Sequence, residues 1–336
     1  MRAFRPTIAA VALASLVLAG CGGGDDSGGG DGEKSNPKGQ GDEQVLASTW
    51  PLTGLEVKKG DSSTLDHPVL VAKIDNTSNS APQIGLSKAD LVVEELVEGG
   101  LTRLAVFYYS ELPEVAGPIR SMRASDIGIV KPVNGEMVTS GAAGQTIARL
   151  NNAGVKFHQE GTAGLYRDSS RSGVYSVMAN LKEIAANTKA GGDRPKDYLP
   201  WGEADDLPKG QPATSISASF GSHTTTWAFE DGHYVNKNTY AAADDQFLAD
   251  SVLVLEVEIG DAGYLDPGNN PVPETKLEGK GPATLFHDGR AIRGTFVKKG
   301  LSGVITLKTK NGQLKVPAGN TWVELVPNDR GGVTFD

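Results

Sequence analysis

Cysteine is almost missing from this sequence: Cys21 is the only one in 336 residues. No disulfide can form within the chain, and CxxC or other cysteine-based zinc sites are excluded. Histidine is scarce too. His67, His158, His223, His233 and His287 show neither HExxH nor HxH spacing, so no dedicated metal site is expected. There is no GxSxG elbow, and no cysteine nucleophile stands in the body of the chain. "GAAG" and "GPATLFHDG" lack the GK[ST] ending of a phosphate loop, and the GxGxxG of a dinucleotide fold is absent. No cofactor is therefore expected, and the chain carries no recognisable catalytic motif.

What is present begins at the first residue. Arg2 and Arg5 precede an apolar run from Ile8 to Leu18, which ends in "LAGC". This is the layout of a secretory signal, with a basic start and an apolar stretch too short to be read first as a membrane span. "LAGC" resembles the bacterial lipobox, in which the chain is cut before the cysteine and the thiol is acylated. Residues 1–20 are thus expected to be a lipoprotein signal peptide and Cys21 the lipidation site, anchoring the protein on the outer face of a cytoplasmic membrane. Residues 21–49 are rich in Gly, Asp and Ser with few apolar groups, and cannot offset the entropy of ordering. A Gly-rich coil of about 28 residues spans about 30 Å, so this segment reads as a tether. Without Arg2 and Arg5 the chain keeps 30 basic residues against 41 acidic, a net of −11. Nucleic acid is excluded as a partner by that balance.

The body divides by pattern. "HPVLVAKIDN" is a β-rich run, and Leu91–Val97 and Leu101–Tyr109 are two more, joined by Gly99-Gly100 as a hairpin. "ASDIGIVKPVN" reads as a short helix, "GEMVTSG" as a buried strand, and "GQTIARLNNAG" as a helix stopped by Gly154. "SGVYSVMANLKEIAANTKAGG" reads as one further helix. Strands mixed with helices predict an α/β layered domain with a mixed sheet over residues 50–200. A Pro-, Gly- and Asp-rich linker is expected at 201–214. Beyond it Asp231-Gly232, Asp288-Gly289 and Asn311-Gly312 punctuate short alternating runs, which predicts a smaller, mainly β C-terminal domain over 215–330. The fold class is α+β or α/β.

Chemistry-bearing residues concentrate in the first domain. Arg103, Arg120, Arg123, Arg167 and Arg171 all lie in or beside Gly- or Ser-rich loops. The planar guanidinium suits bidentate capture of carboxylate or phosphate. Asp75, Asp90, Glu94, Glu95, Glu98 and Asp168 are the available ion-pair partners. If Leu91–Val97 is a strand, Asp90, Glu94 and Glu98 share one face by their even spacing. That face is either solvated, paired with the arginines, or able to hold a hard cation.

"VLVAKIDNTSNSAPQIGLSKADLVVEELVEGGLTRLAVFYYSELPEVAGPIRSMR", with the later "YRDSSR", resembles the YerB-like bacterial lipoproteins, a family defined by a domain of unknown function. "GPATLFHDGRAIRGTFVKK" and "PAGNTWVELVP" resemble that family's smaller C-terminal domain, so the likeness spans about Trp50 to Pro327. It implies an exported lipoprotein of two-part fold. Its recurring polar positions fall on Asp90, Glu94, Glu98, Arg103, Arg120, Arg123, Arg167 and Arg171. This chain departs from the family after Arg171, where "SGVYSVM" stands in place of the usual Pro-His-Asn.

Three functions fit these residues. One is a tethered module that binds an anionic envelope ligand, a cell-wall glycan or an envelope protein through the arginines. Another is a hydrolase or transferase of an envelope polymer, with Glu94 or Glu98 as acid/base and the arginines stabilising developing negative charge. The third is a scaffold for a membrane enzyme, in which the charges serve the fold.

Overall fold

The computed structural model describes residues 48–189 and 192–336. The signal, Cys21 and nearly all of the tether lie outside the described residues.

Three β-rich runs start the central sheet: β1 (Leu70–Asp75), β2 (Leu91–Leu96) and β3 (Thr102–Tyr108). Every residue in them is buried, which is why they read as near-continuous apolar runs instead of alternating ones. After a loop come α1 (Asp126–Val130), β4 (Glu136–Val138) and α2 (Gly144–Asn152). The segment expected to be one helix divides: Val177–Ala179 is a buried strand, and α3 spans only Leu181–Ala186. The break has a local cause. Asn180 caps α3 by accepting a hydrogen bond from Glu183 N at 3.1 Å, so the helix starts after it.

The second part of the chain forms two sheets. β5 (Ser215–Ser219), β6 (Thr224–Glu230), β7 (His233–Asn236) and a later strand make a small antiparallel sheet. β8 (Ser251–Leu265), β9 (Pro271–Lys276), β10 (Gly279–His287), β11 (Arg290–Lys298), β12 (Ile305–Thr309) and β13 (Thr321–Pro327) belong to the central sheet. β14 (Gly332–Phe335) returns to pair with β5. The turns between β6 and β7, and between β10 and β11, are the two-residue Asp-Gly turns read in the sequence. Both residues of each have positive φ, as a type I′ hairpin requires.

Among the described residues the central sheet has 13 strands; nine run in the order β12-β11-β10-β8-β13-β2-β3-β1-β4, Gly312–Leu314 and Phe157–His158 extend its two ends, and β9 and Gln211-Pro212 pair off this path. β13 lies between the two parts of the chain, parallel to β8 on one side and to β2 on the other. The N-terminal α/β part and the C-terminal β part therefore share one mixed sheet. Residues 201–214 are held at both ends of that stretch: Trp201-Gly202 pairs with Val316-Pro317, and Gln211-Pro212 pairs with β11.

The sheet is buried on both faces. One face carries Val71, Val93, Phe107, Leu253 and Leu325 against α1, α2 and the Tyr198–Trp201 segment. The other carries Ile74, Val106, Val254 and Trp322 against α3 and the small sheet. There Trp227 of β6 meets Trp322 of β13 edge-on, with ring centres 5.1 Å apart. The β8–β9 ribbon reaches back over the N-terminal part, where Glu274 accepts from both terminal nitrogens of Arg149 and Thr275 N donates to Ser125 Oγ at 3.0 Å.

Candidate functional site

β1, β2, β4, β13 and β8 all run in the same direction, with β3 the antiparallel strand between β1 and β2. In such sheets ligands settle outside the carboxyl ends of the parallel strands, where the connecting loops diverge. The polar residues of this chain gather at that edge. β1 ends in Lys73 and Asp75, β2 in Glu94 and Glu95 followed by Glu98, and β3 begins with Thr102 and Arg103.

The segment after Gly117 lies along the end of β1. Arg120 N donates to Lys73 O at 2.7 Å, and Arg120 O accepts from Ser140 N at 3.2 Å. This places Arg103, Arg120 and Arg123 together. Arg123 donates from Nε to Glu98 Oε2 at 2.8 Å and from Nη2 to Glu98 Oε1. Arg103 donates to Ser121 O at 2.7 Å and more weakly to Glu98 at 3.4 Å. Burial would raise the Glu98 carboxyl, but the two guanidinium groups outweigh it and hold Glu98 below its ordinary value. Burial, together with the like charges of Arg123 and Arg120, pulls Arg103 down to about 10.

Arg120 differs from its neighbours. Its Nη1 lies 3.0 Å from Asp75 Oδ2, yet off the hydrogen-bonding direction, so this buried atom has no hydrogen-bond partner among the described residues. The guanidinium lies 5.1 Å from the centre of the Tyr175 ring, in cation–π contact. Asp75 meanwhile accepts from Thr77 N at 3.0 Å and from Thr77 Oγ1 at 2.5 Å.

Behind this layer is a fully buried ion triplet. Lys73 Nζ donates to Glu95 Oε1 and to Asp126 Oδ1, the latter at 2.8 Å. Asp126 Oδ2 also accepts from Arg123 N at 2.6 Å. Burial, with the charge of Asp126, keeps the Glu95 carboxyl above its ordinary value despite Lys73.

A cleft of about 520 Å³ opens farther along the same edge, past the ends of β2 and β13 and against Ile259–Asp261 of β8 and the start of β9. Glu98, Gly100, Ser222, Asp261, Pro273 and Arg330 line it. Gly100 is required there: its φ is +71°, and a Cβ would come within 2.6 Å of Ser222 Oγ.

Residues 52–194 match the N-terminal domain of a family described as "Protein of unknown function (DUF3048)", and residues 214–323 match its C-terminal domain. The chain belongs to the DUF3048 family. It is similar to "Putative lipoprotein YerB" of Bacillus subtilis (strain 168), with 24% identity over 291 residues, covering 83% of this chain and 86% of that protein. The crystal structure of YerB from Bacillus subtilis superposes with a TM-score of 0.69 at 19% identity, covering 85% of this chain and 99% of that one. At that identity the likeness establishes the fold.

The polar positions expected from the family resemblance take different partners. Arg103, Arg120, Arg123 and Glu98 come together. Arg167 and Arg171 lie on the 165–177 segment, whose Tyr175 meets Arg120. Arg167, half exposed, grips Glu160 through two hydrogen bonds of 2.5 and 2.8 Å. Arg171 donates to Ser80 O and Pro82 O at 3.1 and 2.5 Å, fastening the loop that precedes β2. The shared face expected for Asp90, Glu94 and Glu98 is not formed. β2 begins at Leu91 and ends at Leu96, so the outer two carboxylates lie beyond it. Asp90 caps Tyr109 N and Ser110 N at 2.6 and 3.0 Å, while Glu94 turns to the C-terminal part, accepting from Thr225 Oγ1 at 3.0 Å. Lys73, Asp126, Tyr175, His223 and Glu324 were not singled out beforehand. Only Lys73 had a local signal, a charge inside the apolar run "LVAKID".

Proposed function

We propose that this protein is a lipid-anchored envelope lipoprotein whose N-terminal part binds a carboxylate- or phosphate-bearing ligand or partner at Arg120. The supporting observation is the state of that side chain. It is largely buried at the carboxyl edge of the sheet, and its guanidinium donates no hydrogen bond to any described residue, whereas Arg103 and Arg123 are committed to Glu98 and nearby carbonyls. Nη1 is already held against Asp75, and the remaining N–H donors of the fork, which donate to no described residue, are the kind of group an incoming anion satisfies. The Asp75 contact and the Tyr175 ring hold the fork in place.

Acid/base catalysis by Glu94 or Glu98 has less support. Glu94 is fully buried, and Glu98 is clamped by Arg123 and held in its charged form. The likeness to a lipoprotein over most of the chain supports anchoring at Cys21 on the outer face of the cytoplasmic membrane. Cys21→Ala is expected to shift the protein from the membrane to the soluble fraction.

The binding test compares wild type, Arg120→Ala and Arg120→Lys against cell-wall fragments and phosphate-bearing envelope polymers by calorimetry. Loss of the fork is expected to weaken binding by at least about tenfold, or about 1.4 kcal/mol, with lysine restoring part of it. Equal affinity in all three proteins, each with an unchanged melting profile, would remove Arg120 from the site.

A further inference from the structure

Two fully buried carboxyl groups face each other where the two parts of the chain join. Glu94 of β2 is registered opposite Glu324 of β13, and both are 0% exposed. Their surroundings are unequal. Glu94 Oε1 accepts from Asn76 Nδ2 at 3.0 Å and lies 3.3 Å from His223 Nε2, while Oε2 accepts from Thr225 Oγ1 at 3.0 Å. Glu324 Oε1 accepts from Trp227 Nε1 at 2.9 Å, and Oε2 has no partner in hydrogen-bonding geometry among the described residues.

Two adjacent carboxylates in a dry interior cannot both be ionised without large cost, so the pair retains a proton. The three neighbours of Glu94 favour charge there and leave the proton on Glu324. The proton arrangement around His223 is also constrained. Thr225 Oγ1 gives its one hydrogen to Glu94, so His223 Nε2, 3.1 Å from the same oxygen, must be the donor. His223 is 17% exposed and touches Glu94, so it lies between the pair and the surface. Asn76, Thr102, Thr225, Trp227 and Trp322 complete the surroundings and do not titrate in this range; Glu94, Glu324 and His223 are the groups that do.

The same short turn forms a wall of the cleft. Phe220, Gly221 and Ser222 line it beside Glu98 and Gly100. The turn closes on His223 itself, with Phe220 N donating to His223 O at 2.7 Å.

We propose that the Glu94–Glu324 pair is a proton-binding site, loaded through His223, that fixes the β5–β6 turn against the central sheet and so sets the wall of the cleft. The titration directions agree. Burial and the Glu94 charge hold Glu324 well above its ordinary 4.5. For His223, burial would lower the value, but the hydrogen bond and charge of Glu94 outweigh it and raise it above 6.5. Both folded values exceed the unfolded ones, so their contributions are full at low pH and are lost as pH rises through the folded values. Glu94, held below its ordinary value mainly by His223 against burial, contributes in the opposite sense and is lost only in stronger acid. The turn is therefore firmest in mildly acidic solution and loosens as pH rises through the raised values of Glu324 and His223.

Hydrogen exchange of the full-length protein in detergent, corrected for intrinsic rates and followed from about pH 5.5 to about pH 8.5, tests this. Protection of residues 219–227 is expected to fall at least about tenfold across that range in wild type. In Glu324→Gln, which cannot place a second charge in the pair, the fall is expected to be smaller, leaving the part carried by His223. Histidine NMR gives an independent measure: His223 titrates above 6.5 in wild type and returns toward it in Glu94→Gln. Identical pH profiles in wild type and Glu324→Gln would overturn the proposal, as would a wild-type His223 titrating at or below its ordinary value. His223→Gln supplies a second profile if Glu324→Gln folds poorly.

Discussion

Replacing Lys73 by methionine removes the only cation between Glu95 and Asp126 while keeping most of the side-chain volume. All three side chains are 0% exposed, so solvent cannot restore the lost charge. Deleting one partner of a buried pair costs about 3–5 kcal/mol, because the other is left charged in a poor solvent. The protein has a cheaper alternative, which is to protonate Glu95. At pH 7, about 2.5 pH units above the ordinary 4.5, that costs about 3.4 kcal/mol at about 1.36 kcal/mol per unit. Lys73→Met is therefore expected to lose about 3 kcal/mol at pH 7, or roughly 6–12 °C of melting temperature for a body of this size. The penalty should shrink to about 1 kcal/mol near pH 5, since the variant then takes up its proton readily. Urea unfolding followed by tryptophan fluorescence at several pH values measures this. Adding Glu95→Gln should recover at least half of the loss at pH 7. A penalty under about 1 kcal/mol at pH 7, or one that does not change with pH, would refute the reasoning.

Three further outcomes follow from other sites. Burial raises Asp90 from 3.8 to about 6, against the hydrogen bonds from Ser110 and Tyr109. Its contribution is full below the unfolded value and is lost as pH rises past about 6, a fall of about 3 kcal/mol; Asp90→Asn should flatten that part of the urea-midpoint profile. Gly100→Ala should cost about 1–2 kcal/mol from the left-handed backbone alone, and Ser222→Gly beside it should recover only the steric part, read by calorimetric melting. Asp245 accepts from Gly85 N at 2.6 Å and Ser87 N at 3.0 Å. Asp245→Ala should cost about 1–3 kcal/mol and speed amide exchange at 84–88 before other segments.

Much of the fold was legible because its signals are local. Val69–Ile74, Leu91–Val97 and Leu101–Tyr109 are β-rich runs, and the Asp-Gly pairs hold their own turn geometry. The single helix read over 172–192 failed because helix propensity after Leu181 was extended backward past Asn180, whose spacing to Glu183 is itself a capping signal. The carboxylate face failed for a different reason: period-two spacing holds only inside a strand, and β2 stops at Leu96. Arg167 and Arg171 looked equivalent to the other three arginines because loop composition does not say which carboxylate or carbonyl will be near. The Glu94–Glu324 pair was beyond local reading altogether. It joins residues 230 positions apart, and only the placement of β13 creates it.

That placement has a consequence for how the chain can be made. β13 is nearly the last strand synthesised, yet it occupies the middle of the sheet, and β2 and β8 cannot be bridged until it arrives. A ribosome or translocon delivering the N-terminal part first delivers a half-sheet with an open edge at β2, whose buried Leu91–Val93 and Glu94–Glu95 must wait for almost the whole remaining polypeptide. Non-local pairings of this kind are slow to form and leave aggregation-prone edges exposed in the interval. Neither part can mature as an independent module ahead of the other, so a frameshift or a proteolytic cut near residue 320 would cost the N-terminal part its fold as well.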